Sequence, residues 1–146
     1  MSGKIFPTAQ DAESAFYEAL ERCDLDGMMA VWAEDEEIVC VHPAGARLTG
    51  QDQVRESWAQ MFAAGPRARL VIEQQVAISG MMLAVHSVYE RFTMPQAKPE
   101  QQPAPIVATN VYLRTAAGWR MIVHHASPAP AQPQPAPQDT GPKILH

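Results

Sequence analysis

From residue 67 to residue 125 the chain is rich in strand-forming residues, and this half constrains the fold more than anything before it. Arg67–Ile78 and Met82–Thr93 read as one hairpin across Ser79-Gly80-Met81, and Ile106–Thr115 with Trp119–His125 as a second across Ala116-Ala117-Gly118. Between them, Met94–Pro105 carries four prolines. Proline cannot donate to a sheet ladder, so this segment is expected as a long connection.

The first half has a different period. Thr8-Ala9-Gln10-Asp11 resembles a capping box and opens a helix whose inward face carries Ala12, Phe16, Ala19, Leu20 and Cys23. Asp24 caps a shorter helix with Met28, Met29, Val31 and Trp32 as its apolar positions, and the acidic run Glu34–Glu37 is expected as a solvated corner. Ile38 to His42 is strand-like, Pro43-Ala44-Gly45-Ala46 turns, and Arg47-Leu48 is briefly extended. Thr49-Gly50-Gln51-Asp52 then opens a third helix with Val54, Trp58, Met61 and Phe62 inward, stopped at Gly65-Pro66. Helices segregated from four long strands predict an α+β domain, helices packed on a curved antiparallel sheet that encloses a pocket. The domain is expected to span residues 1–127. Residues 128–146, rich in proline, alanine and glutamine, are expected as a tail in polyproline II or without fixed structure.

Charge and cysteine usage narrow the function. A net charge of -5, with Lys and Arg scattered, argues against a phosphate-backbone partner. Cys23 and Cys40 have no metal-ligand spacing and read as reduced packing residues. There is no signal-peptide pattern at the N-terminus, and no segment reaches the roughly 18 apolar residues of a membrane span. The reading is a cytoplasmic protein with no nucleic-acid or membrane partner.

A few residues could carry chemistry. His42 ends a buried strand on the face of Ile38 and Cys40; it is either a satisfied rim histidine or a general base suited to neutral pH. Asn110 interrupts an apolar strand on the face of Ala108 and Tyr112, either as a solvent-facing amide or as a donor to a ligand oxygen. Of the adjacent His124 and His125 only one can face inward, where His86 could join it, and such a set is too small for a metal. Trp32, Trp58, Phe62, Tyr17 and Phe16 are core by default and ligand contacts only by position. No nucleophile motif and no phosphate-binding glycine loop is present, and no cofactor is expected.

The order of elements over residues 8–127 resembles the NTF2-like superfamily, the cone-shaped α+β fold of the SnoaL-like proteins. Ala19–Gly27 with its Asp24-Leu25-Asp26-Gly27, followed by Pro43-Ala44-Gly45, is similar to the ketosteroid isomerase branch. Gly118–Ser127 resembles the close of SnoaL-like members and of the calcium/calmodulin-dependent kinase association domain. The resemblance sets His42 where the isomerases keep their aspartate base, Asn110 where a protonated aspartic acid holds the oxyanion, and Phe16 where the oxyanion tyrosine stands. Tyr17 lies one helical step, about 100°, from Phe16 and is not expected to replace that tyrosine. The association domain's pocket arginines fall on Val88, Asn110 and Ala126, so no anion pocket of that kind is implied.

The resemblance further implies that His86, Val88, Asn110, Tyr112 and His124 face the interior, with His125 and Trp119 on the convex face. It also implies a homodimer through that face. The expected function is binding of a small apolar or weakly polar molecule in a mainly apolar cavity. Phe16, Trp32, Trp58, Phe62, His86, Tyr112 and His124 would contact it. The alternative is an isomerase-, cyclase- or dehydratase-type enzyme with His42 as base beside a carbonyl and Asn110 steadying the oxyanion. A further alternative is an assembly module acting through the tail.

Overall fold

The computed structural model describes residues 4–65 and 67–130. Three helices, α1 (Ala9–Arg22), α2 (Leu25–Val31) and α3 (Gly50–Ala64), pack on a six-stranded sheet. Its strands are β1 (Val39–Val41), β2 (Arg47–Thr49), β3 (Arg69–Ser79), β4 (Leu83–Thr93), β5 (Ile106–Thr115) and β6 (Gly118–Pro128), in the spatial order β2-β1-β6-β5-β4-β3. This is the expected α+β cone. No helix among the described residues is long and apolar enough to cross a membrane.

The helix starts follow from local chemistry. Thr8 Oγ1 accepts from the Asp11 amide at 3.0 Å, and Asp24 from that of Gly27 at 3.0 Å, each satisfying a donor that the first turn leaves orphaned. Thr49 differs, because its side chain makes no cap bond and the Gln53 side chain instead accepts from its backbone amide. Met61, expected inward, is 39% exposed, because the last turn of α3 hangs over the rim of a groove rather than over the sheet.

The sheet departs from a purely antiparallel one at a single seam, where β1 runs parallel to β6. Hairpin-linked strands must be antiparallel, whereas β1 and β6 are joined only through most of the chain, so no turn dictates their relative direction. The hydrophobic core lies between the sheet's concave face and the helices, with Phe16, Met28, Trp32, Trp58, Tyr112 and Met121 almost wholly buried. Strand β6 runs to Pro128, and Ala129 donates to the Pro105 carbonyl. The expected tail beyond residue 130, and Pro66 as a helix stop, lie outside the described residues.

Candidate functional site

One row of side chains crosses the concave face. Register aligns Ala77, His86, Asn110, His124 and Cys40 across β3, β4, β5, β6 and β1, and strand alternation turns the row inward. His86, Asn110 and His124 are each at most 2% exposed, whereas His125 is exposed. Above this row lies α1, held inside the cone between the sheet and the other helices. Its buried arc is therefore wider than one apolar stripe, and it carries Glu13, Phe16 and Tyr17 together into the interior.

That arc also brings in Tyr17, which the sequence reading takes as core. Although one residue from Phe16, it is buried, its ring edge-on to Phe16 at 4.8 Å. Its hydroxyl donates to Glu90 Oε2 at 2.6 Å and accepts from Asn110 Nδ2 at 2.9 Å.

The interior contains more polar chemistry than the sequence reading assigned to it. Asn110 Nδ2 also donates to Glu13 Oε2 at 3.2 Å, and its Oδ1 accepts from His124 Nδ1 at 2.6 Å. Glu13 further accepts from Tyr112 at 2.8 Å and from Gln75. His86 Nδ1 lies 3.0 Å from Glu13 Oε2 but is off the line of a hydrogen bond. Both amide protons of Asn110 are thus engaged within the protein, so it orders its neighbours rather than offering a free donor. Glu13 and Glu90 escaped the sequence reading, yet signals existed. Glu13 falls on the helical face of Ala9, Phe16 and Tyr17, and Glu90 continues the inward alternation Ala84, His86, Val88.

Burial sets the protonation states. Desolvation pushes the Glu90 carboxyl up to about 7, with the charge of Glu13 adding to the rise and the Tyr17 hydrogen bond opposing it. Desolvation pushes His124 down to about 3, assisted by His42 and His125, so its ring is neutral and its Nδ1 proton serves Asn110. Tyr17 and Tyr112 are raised above the usual phenol range, first by burial.

His42 sits just past β1, where Gly45 N donates to its carbonyl at 2.8 Å and closes a turn with Ala44 at a φ of +60°. Its Nε2 is 3.0 Å from Ser57 Oγ, and Ser57 gives its one hydroxyl proton to the Val54 carbonyl. Nε2 is therefore the donor of that pair, and Nδ1 keeps the ring's lone pair. Burial lowers the pKa of His42, which favours this neutral form. The ring meets Trp58 edge-on at 4.6 Å, and Trp58 is 6.0 Å from His124. His42 and Asn110 make no hydrogen bond to each other; His42 contacts Ser57 and Trp58, and Asn110 contacts His124, Glu13 and Tyr17.

Trp58 is the hub of the apolar wall, 5.7 Å from Phe16 and 5.6 Å from Phe62, while Trp32 packs on Phe16 at 6.5 Å. Beside Phe62 opens a groove of about 200 Å3 between Leu20 of α1 and its C-cap Cys23, Met61 of α3 and Phe92 of β4. Leu20 and Glu21 follow Tyr17 by one helical turn, and Phe92 follows Glu90 on the same strand face. Tyr17 and Glu90 themselves do not line the groove.

Comparison with known proteins agrees with this geometry. Residues 10–132 match the family described as SnoaL-like domain. A candidate calcium/calmodulin-dependent protein kinase type II association domain from Thiobacillus denitrificans is 43% identical with a TM-score of 0.80, the match covering 86% of this chain and 98% of that one. A candidate dehydratase from the NTF2-like family of Streptomyces avermitilis is 30% identical with a TM-score of 0.71, over 82% and 92%. An NTF2-like protein of unknown function from Pseudomonas putida, 22% identical with a TM-score of 0.73 over 91% and 93%, shares the fold. No curated protein matches significantly.

Proposed function

The chain belongs to the SnoaL-like, NTF2-like family, and on that premise we propose that it binds a small molecule through the groove beside its polar interior. One observation carries the reading: an apolar groove lined by Leu20, Phe62 and Phe92 is built on α1 and β4, the same two elements that carry the buried Tyr17–Glu90 hydrogen bond. Apolar walls with a few oriented polar groups are what a small-ligand site requires. Phe62 and Trp58 supply contact area, whereas His86, Asn110, Tyr112 and His124 act behind the contact surface by fixing Glu13 and Tyr17. The test is thermal shift against a small-molecule library, with Phe62→Ala and Leu20→Trp beside the parent. Hits that shift the parent and fail with Leu20→Trp are expected; hits unaffected by both substitutions would place binding elsewhere.

A second reading, proton transfer, is favoured by the free lone pair on Nδ1 of His42. It makes His42 the base next to a ligand carbonyl, the Tyr17 proton being committed to Glu90 and the Asn110 amide to Glu13 and Tyr17. Incubation of candidate ketones in deuterated buffer, followed by mass spectrometry, tests it. Exchange that vanishes in His42→Ala is expected, and the absence of exchange across neutral and mildly alkaline pH would sink it.

We further propose that the chain pairs with a second copy through the convex sheet face, and that it works in the cytoplasm. The first is supported by exposed Val76, Ile78 and Leu83 on that face, the second by two cysteines that are both free.

A further inference from the structure

A second pocket, of about 270 Å3, opens at the other end of α1 from the groove. Leu20 and Glu21, late in α1, line the groove, whereas Thr8, Ala9 and Gln10 at the helix start line this pocket, together with residues of the β3–β4 hairpin. Trp119, expected on the convex face, lines it too. The register shift between β5 and β6 pairs Tyr112 with Met121, which sets Trp119 in step with Met121 on the inner side of the sheet.

His86 reaches this pocket from β4 and is 2% exposed. Its two ring nitrogens have different surroundings. Nδ1 lies 3.0 Å from Glu13 Oε2, the oxygen that also accepts from Asn110 and Tyr112. A lone pair on Nδ1 would face the lone pairs of that carboxylate, so the ring keeps a proton there. Nε2 has no hydrogen-bond partner among the described residues. It is also absent from the fully enclosed unpaired atoms, which are Trp32 Nε1, Trp58 Nε1 and His86 Nδ1. The opening it retains is the pocket that His86 lines.

The charges around the pocket point one way. Among the described residues, its lining has no Asp, Glu, Lys or Arg, which leaves His86 as its one group able to carry charge near neutral pH. The other partners of Glu13, which are Gln75, Asn110 and Tyr112, are neutral. His86 is therefore the contact that can offset the buried Glu13 charge, as an imidazolium whose Nε2–H then donates outward. The start of α1 has the same sign. The Asp11 amide is taken by Thr8 Oγ1, but those of Ala9 and Gln10 have no acceptor among the described residues, and a helix N-terminus carries about half a positive charge. Asp11 itself accepts the Thr8 hydroxyl proton and does not line the pocket.

We propose that this pocket binds a small monocarboxylate, its oxygens between His86 Nε2 and the first-turn amides of α1 and its apolar body against Trp119. The site is separate from the groove and does not rest on the reading given to it. A carboxylate only accepts hydrogen bonds, which suits N–H donors arriving from the two sides. The volume is just under the roughly 300 Å3 at which sites for drug-sized ligands begin, which limits the ligand to about the size of benzoate.

Calorimetric titration of the full chain with benzoate, benzamide and benzylamine tests this, since the three present one ring with an anionic, a neutral and a cationic head. Benzoate is expected to bind at least about tenfold more tightly than benzamide, a factor within reach of one close charge pair, and benzylamine not at all. His86→Gln should bring benzoate down to the level of benzamide. Ala77→Trp, at an exposed position of the lining, fills the pocket and should abolish benzoate binding, while Leu20→Trp in the groove should leave it unchanged. Benzamide bound to the parent chain as tightly as benzoate, or no benzoate binding at millimolar concentration, would overturn the proposal. So would benzoate binding that survives Ala77→Trp and disappears in Leu20→Trp, which would put the anion in the groove. Because the benzoate-to-benzamide ratio is read on the parent chain, a misfolded variant cannot rescue the proposal.

Discussion

Glu90 and His124 push the pH dependence of stability in opposite directions, and the signs follow from where each proton sits in the two states. Unfolded, Glu90 loses its proton near 4.5, whereas folded it holds it to about 7. Between those values the folded chain binds more protons, so this contribution to stability falls as pH rises and levels off above 7. His124 takes a proton near 6.5 when unfolded but only near 3 when folded, so its contribution is lost as pH falls below 6.5. The two slopes oppose each other over the shared part of their windows. Replacing Glu90 by Gln removes one of them. The difference in unfolding free energy between the parent and Glu90→Gln, from urea titrations, is expected to decline from about pH 5 to about pH 7. The steepest slope should approach about 1.4 kcal/mol per pH unit. A difference that does not vary with pH would remove Glu90 as a buried titrating group. The sequence marks Glu90 by its inward alternation, but not its proton affinity, which depends first on burial and then on Tyr17 and Glu13 from a helix distant in the chain.

At the scale of the element, the decisive feature is a bulge in β3. Glu73 pairs with Tyr89 and Val76 with Ser87, so Gln74 and Gln75 together oppose Val88. Such an insertion re-aims a side chain, and here it delivers the Gln75 amide to Glu13. It leaves Gln74 at a φ of +53°, a conformation that favours glycine. Adjacent substitutions should therefore have opposite effects. Gln75→Leu is expected to cost about 1–3 kcal/mol by leaving a buried carboxylate oxygen without its donor. Gln74→Gly should be neutral or stabilising by up to about 1 kcal/mol, as relief of left-handed strain offsets glycine's entropy. Chemical unfolding of both variants measures this; equal destabilisation would mean that the bulge does not position Gln75. Helix α1 teaches the same lesson. Its period reveals Phe16 and Ala12, but its wide buried arc also brings in Glu13, a charged residue that the sequence reading left out of the interior.

At the scale of the molecule, the face opposite the site is the surface left to explain. Ile78 pairs with Val85 and Leu83 with Leu113, so Val76, Ile78, Leu83, Val85, Val111 and Leu113 share the convex side. Ile78 is 64% exposed and Val76 60%, unusually open for aliphatic residues on one sheet. If a second copy covers this face, Ile78→Asp with Leu83→Asp should turn a dimer into a folded monomer by light scattering. A parent chain already monomeric at high concentration would end the dimer reading. Gly118 illustrates how far such arrangements escape local reading. At a φ of +95°, its absent Cβ would fall 2.9 Å from the Phe6 backbone, a contact between the ends of the domain that its turn position alone does not announce. The sequence by itself determined the order and type of elements, the caps at Thr8 and Asp24, and the inward alternation of His86, Val88, Asn110 and Tyr112, because periodicity and turn chemistry act within a few residues. Only the tertiary structure decided that β1 joins β6 in parallel, that the Glu13 carboxylate enters the interior, and that the Tyr17 hydroxyl meets Glu90. Those outcomes depend on long-range packing and desolvation, which arise only when distant segments close around the same space.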